Sequence, residues 1–193
     1  MLQYLVILGA AVQVIGIFFY LRNTVRGVTR PNRVTWLMWA VAPLIATAAA
    51  FSDGVRWAII PVFMSGFGPL LVFIASYVNP KSYWKLGIFD YICGAFSILA
   101  LVLWGLTKEP SLAIIFAIVS DGFAATPTII KAWRHPGTES IAPYMTGAFS
   151  AATSFFAMKM FSVSEIAFPA YLILINSTLI ICLYSGRKKQ EKS

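Results

Sequence analysis

An aspartate, an asparagine and a glutamine, each set deep in an apolar run, are the residues of this chain with chemistry to offer: Asp121, Asn176 and Gln13. A charge at the centre of a bilayer costs at least ~2.5–3.5 kcal/mol on insertion scales, so an acid there has a reason to be kept. Asp121 can take up and release a proton, or it can pair with a cation. Asn176, followed by Ser177 and Thr178, offers a donor and an acceptor to a polar solute. Gln13 lies at matching depth, Ser65 falls close to the repeat partner of Asn176, and Trp39 can wall a pocket. These six residues, Asn176, Asp121, Gln13, Trp39, Ser65 and Thr178, form the candidate substrate site. The plainer reading is that Asn176 and Gln13 are hydrogen-bonding glue between helices, worth only ~0.6–2 kcal/mol. Ser150 and Thr153, with Gly147 and Ala151, read as a small-residue stripe for close helix packing. Asp90 reads as a structural pair, within reach of water or Lys85.

The elements that must hold these side chains are transmembrane helices. Of 193 residues, 59% are hydrophobic and only 11% charged, which a water-soluble domain could not bury. Apolar runs of about 20 residues cross a bilayer as helices, because the backbone must satisfy its own hydrogen bonds there. The sequence predicts seven spans, roughly at 2–21, 34–52, 57–78, 87–107, 112–132, 141–160 and 164–184. The first run lacks a basic start and a clear cleavage site, so it reads as a helix and not a leader.

The last three runs echo the first three. Arg30-Pro31-Asn32-Arg33-Val34-Thr35 aligns with Gly137-Thr138-Glu139-Ser140-Ile141-Ala142 at a shift of about 107 residues. Ala58-Ile59-Ile60-Pro61 aligns with Ile166-Ala167-Phe168-Pro169 at a shift of about 108. The expected fold is therefore an all-α integral membrane protein of seven transmembrane helices, two three-helix bundles joined by a linker helix (3+1+3). Residues 1–78 form the first repeat, 79–110 the linker helix 4, 111–186 the second repeat and 187–193 a basic cytoplasmic tail. Duplication around a lone helix is a common transporter architecture.

Charge sets the expected orientation. With the N-terminus outside, the inner segments carry Arg22, Arg26, Arg30, Arg33, Lys81, Lys85, Lys131, Arg134, Arg187, Lys188, Lys189 and Lys192. The outer segments carry only Arg56, Lys108 and Lys159. This bias places the C-terminus in the cytoplasm of a cell (inner) membrane protein. It accounts for the net charge of +8 through lipid headgroups, with no nucleic-acid partner. Trp57 and Trp104 fall at outer span ends and Trp84 and Trp133 at inner ends, as interfacial indoles do, and Trp36 reads as interfacial too.

Proline inside a helix removes one backbone bond and bends the axis. Pro127 late in helix 5, and the matched pair Pro61 and Pro169, are the expected hinges; Phe155 and Phe156 in helix 6 are expected gates. Thr138, Glu139 and Ser140 are suited to capping helix 6.

The stretch from Asp121 through Pro127-Thr128 and Lys131-Ala132-Trp133-Arg134 to Pro143 resembles a PQ-loop motif. In such a motif a proline dipeptide late in a helix precedes a basic loop and a Thr/Ser-rich helix entry. Thr29-Arg30-Pro31-Asn32-Arg33-Val34-Thr35-Trp36 resembles the loop part in the first half. With its 3+1+3 plan, the chain resembles the SWEET / PQ-loop superfamily. That resemblance implies a substrate-binding asparagine in helix 7, here Asn176. It also implies a companion in helix 3, where this sequence has Gly68, and clamping tryptophans where it has Phe51, Phe155 and Phe156.

Other classes fit poorly. No lysine lies between Val163 and Tyr184 to anchor retinal, and the sole histidine, His135, has no catalytic or metal-ligand partners around it. No nucleotide-binding signature appears. Cys93 and Cys182 read as small buried hydrophobes. The expectation is thus a non-enzymatic carrier without metal or cofactor. It would move a small polar solute (sugar, amino acid or vitamin) by alternating access, with or without proton coupling, as a monomer or a homo-oligomer. The alternative is a seven-helix membrane receptor that binds a ligand without transporting it.

Overall fold

The structure, a computed structural model, describes residues 4–107 and 109–191, together with all their side chains except those of Ala100, Trp104 and Pro110. Lys108, Lys192 and the indole of Trp104, used above to orient the chain, thus lie outside what is described. The described residues form seven α-helices and no sheet. They are α1 (Leu5–Val25), α2 (Arg33–Ser52), α3 (Ile60–Ala75), α4 (Ile88–Thr107), α5 (Pro110–Arg134), α6 (Ala142–Ser154) and α7 (Val163–Glu191). A 3-10 turn, Trp57–Ile59, leads into α3. Six helices, α3 counted with that turn, are long and apolar enough to cross a membrane.

The exception is α6, where the sequence predicts a span over 141–160. It has 13 residues, about 20 Å of helix at 1.5 Å per residue, against a hydrocarbon core of about 30 Å. The early exit has a visible cause. The Glu165 carboxylate accepts the N–H groups of Lys159 (2.7 Å) and Met160 (3.1 Å), which rewards an irregular backbone there. In the other direction α7 runs to Glu191, so residues 187–191 of the expected tail are its last turns.

Local chemistry sets the helix ends. Gly27 and Gly54, with φ of 77° and 88°, stop α1 and α2 in the left-handed conformation that other residues resist. Asn32 starts α2: its side-chain oxygen accepts from Val34 N (3.1 Å) and Thr35 N (3.2 Å), and its amide donates to Asp90 (2.6 Å). Asp90 also accepts from Gly87 N at 2.6 Å, so its partners are Asn32 and the backbone and not Lys85. Arg33 bonds the hydroxyl and carbonyl of Ser76 and lies 3.8 Å from the Tyr77 ring centre, tying the start of α2 to the end of α3.

The helices close a ring. α3 packs on both α1 and α2, and α7 on both α5 and α6; α1 then meets α6, and α2 meets α5. The order around the ring is α1–α3–α2–α5–α7–α6, and α4 stands outside it against α5 and, more lightly, α2. Exchanging α1, α2 and α3 for α5, α6 and α7 maps this set of contacts onto itself. Where α1 crosses α6, the stripe suspected of packing does pack. A Cβ on Gly9 would stand 2.3 Å from Thr153 Oγ1 and 3.1 Å from Ser150 Cα, and one on Gly16 would overlap Thr146. Across the α2–α5 contact, Thr35 donates to the Ala124 carbonyl (2.7 Å) and accepts from Thr128 (3.0 Å).

Two apolar clusters fill the ring at opposite ends. One gathers Val6, Ala46, Ala50, Ile114, Ala151 and Phe168 with their neighbours. The other gathers Tyr20, Trp36, Val72, Ala124, Tyr144 and Leu183 with theirs.

Candidate functional site

Between the two clusters lies a cavity of about 50 Å³. Its walls come from α1 (Gln13, Ile17), α2 (Trp36, Trp39), α3 (Ser65, Pro69), α5 (Asp121), α6 (Pro143, Tyr144, Gly147) and α7 (Leu172, Ile175, Asn176, Leu179). Every helix of the ring contributes and α4 does not. A water needs ~10–15 Å³ of such space, so the cavity takes a group of about four heavy atoms in this conformation.

Five of the six candidate substrate residues, Gln13, Trp39, Ser65, Asp121 and Asn176, share this wall. Thr178 does not: it lies on another side of α7, where its hydroxyl donates to the Leu174 carbonyl at 2.9 Å. Asp121 is 2% exposed, and the Tyr171 hydroxyl donates to it at 2.6 Å. The Trp39 indole N–H faces the same carboxyl without closing a hydrogen bond. Asn176 donates to the Leu172 carbonyl (2.8 Å), and its side-chain oxygen lies 3.2 Å from where a Cβ on Gly147 would stand. Glycine at 147 is what leaves room for that amide. Gln13 is 5% exposed, and its carbonyl oxygen has no hydrogen-bond partner among the described residues. The helix-glue reading of Gln13 has no bond to point to; that of Asn176 has only a bond within its own helix.

Two aromatic wall residues, Trp36 and Tyr144, and Tyr171 behind the wall escaped the sequence reading. Trp36 is 1% exposed, so it is a buried cavity residue and not an interfacial one. Its spacing of three from Trp39 was the available signal, since i and i+3 share a helix face. Tyr144 had no distinguishing pattern, and Tyr171 was hidden because it acts through Asp121 and does not line the cavity.

The expected hinges and gates divide. Pro127 and Pro169 sit inside α5 and α7. Pro61 occupies the first turn of α3, where a missing N–H costs no helix bond, so it does not kink α3 as Pro169 breaks the ladder of α7. Pro43 and Pro69 matter more to the cavity. They remove the N–H donors that would serve the carbonyls of Trp39 and Ser65, both wall residues. Phe155 and Phe156 are exposed in the turn after α6 and do not line the cavity.

A buried polar knot lies beyond the cavity, at the end where α1 finishes and α6 begins. Glu139 pairs with Lys131 and accepts from Tyr20 (2.8 Å) and Tyr144 (3.0 Å). Lys131 also donates to the Arg30 carbonyl, and its ammonium lies 4.9 Å from the Trp84 ring centre. Both charges are under 5% exposed, so Lys131 is a buried partner of Glu139 and not a headgroup contact. Nor is Glu139 a cap; α6 starts at Ile141 without a side-chain cap, and Ser140 accepts from Ala142 N at 3.4 Å. Among the described residues, no three of His, Cys, Asp and Glu gather to hold a metal ion.

No known family, curated protein or solved structure matches this chain. The ring, the cavity and the knot therefore carry the functional argument by themselves.

Proposed function

We propose that this chain is a multi-pass carrier of small polar solutes, built from two three-helix repeats, 1–78 and 111–186, joined by α4. The halves rock about a site at the middle of the membrane. The observation that carries this reading is the position of the cavity. It lies where the two triplets face each other, it is lined by both, and an apolar cluster lies toward each end of the ring. A site shared between two similar halves is the arrangement an alternating-access cycle needs.

In this reading Asn176 and Gln13 bind the solute. Asp121 is either its cation partner or a proton site. Trp36 and Trp39 are the apolar walls. The Glu139–Lys131 knot closes the cytoplasmic side, since it joins α1 to α5 and α6 across the two halves. The orientation has the N-terminus outside and the C-terminus in the cytoplasm of a cell membrane, following the bias of cations. The resemblance to SWEET / PQ-loop proteins supports the same architecture and a role for Asn176. No bond-making chemistry and no cofactor enter the proposal.

Purified protein in liposomes tests it. Saturable uptake of a small polar solute, lost in Asn176→Leu, is the expected result. Saturable binding without flux would replace the carrier by a receptor of the same build.

A further inference from the structure

We infer that the cavity recognises a small organic cation bearing N–H donors, an alkylammonium or guanidinium group, seated on Asp121. The inference rests on the carrier reading only where flux is concerned; binding is read separately.

Charge comes first. Among the lining residues Asp121 is the only ionisable acid, and no lysine, arginine or histidine joins it. An anion would meet a carboxylate with no compensating base. A cation is the solute that pairs directly with this carboxylate, which is expensive to leave unpaired inside a membrane.

The balance of donors and acceptors points the same way. The Gln13 side-chain oxygen is buried and unpartnered. Asn176 spends one N–H on the Leu172 carbonyl, which leaves its side-chain oxygen and a second N–H. Pro43 and Pro69 withhold the usual donors from the carbonyls of Trp39 and Ser65. The Ser65 hydroxyl spends its proton on the Val62 carbonyl at 2.7 Å, leaving lone pairs toward a ligand. The wall also holds two buried, unpartnered donors, the indole N–H groups of Trp36 and Trp39, the latter facing Asp121; a ligand that satisfies the acceptors beside them brings N–H groups. The indoles of Trp36 and Trp39, 5.4 Å apart and edge to face, add aromatic surface against which a cation is stabilised.

Size completes the description. About 50 Å³ holds a compact head such as a guanidinium or ammonium group beside Asp121.

Guanidinium and urea make the decisive pair, because both are planar and of one size, while urea is uncharged and carries a carbonyl oxygen in place of one NH2 group. Equilibrium binding of each, radiolabelled and at non-denaturing concentration, is measured on the full chain in detergent, and uptake is measured in liposomes. Guanidinium should bind saturably and urea should bind at least about tenfold more weakly, the scale of a lost charge-assisted hydrogen bond. Asp121→Asn should erase that preference. Tetramethylammonium, a cation without N–H donors, should compete poorly. Equal binding of urea, no binding of guanidinium, or full competition by tetramethylammonium would each overturn the inference. These comparisons use the wild-type chain, so they hold even if the Asp121 variant does not fold. Guanidinium bound but not carried would keep the cation site and retire the carrier. Saturable flux of an uncharged solute with no guanidinium binding would do the reverse.

Discussion

Replacing Lys131 by Met should be among the most destabilising single changes in this chain. Glu139 is 4% exposed and holds three donors, the Lys131 ammonium and the hydroxyls of Tyr20 and Tyr144. Lys131→Met leaves a buried carboxylate with two neutral donors and no counter-charge. Breaking a buried pair on one side costs ~3–5 kcal/mol, mostly because the surviving charge stays desolvated. Glu139→Gln does the converse. It strands an ammonium with only the Arg30 carbonyl and the face of Trp84. Removing both charges leaves nothing stranded, so the double variant Lys131→Met with Glu139→Gln should recover a large part of that loss. The tyrosines keep an acceptor in the amide oxygen. The assay is reversible denaturation of the purified protein in mixed micelles, followed by tryptophan fluorescence, for the wild type, both single variants and the double. The double should be less destabilised than the sum of the singles by at least ~2 kcal/mol, within the range found for residues of one buried network. Additive losses would refute the coupling and with it the view of this knot as one unit closing the end of the ring.

Two further outcomes follow from packing. Gly9→Ala places a methyl carbon against Thr153 and the Ser150 backbone, so it should cost ~1–3 kcal/mol in the same titration, and Thr153→Ala should restore part of that. Asn32→Ala removes the cap of α2 and a partner of Asp90, for a loss of ~1–3 kcal/mol; Asn32→Asp, which keeps the cap but sets a second carboxyl against Asp90, should not rescue it.

Helix existence was legible because composition and span length speak directly to a bilayer, and α1 to α5 fall close to the expected boundaries. An echo between the first and last thirds of the chain was legible too, and the ring contacts map onto themselves when α1, α2 and α3 are exchanged for α5, α6 and α7. The end of α6 was not. Hydropathy cannot see a carboxylate beyond the end of the helix collecting backbone N–H groups, as Glu165 does. Asp121, Asn176 and Gln13 stood out because each is a polar residue in an apolar run. Trp36 and Tyr144 did not, because a buried aromatic and an interfacial one look alike in sequence. The pairing of Lys131 with Glu139 was hidden for a different reason. Both sit in a segment whose charges read naturally as cytoplasmic loop and helix cap, and only the inward rotation of the end of α5 reveals otherwise. Pro61 misled because its position within α3 depends on the 3-10 turn before it.

The brevity of α6 has a consequence for the surrounding lipid. A bilayer pressed against a 13-residue rod meets a hydrophobic mismatch of about 10 Å, which is relieved by local thinning or by sinking the following segment among the acyl chains. That segment carries Phe156, Met160 and Phe161, the last 94% exposed. Irregular backbone is tolerated at such depth only if its amides are satisfied from within the protein, and Glu165 supplies that satisfaction for two of them. In a bilayer the hairpin between α6 and α7 would then act as a greasy wedge, and α6 would answer to bilayer thickness more than its counterpart α2, which has 20 residues.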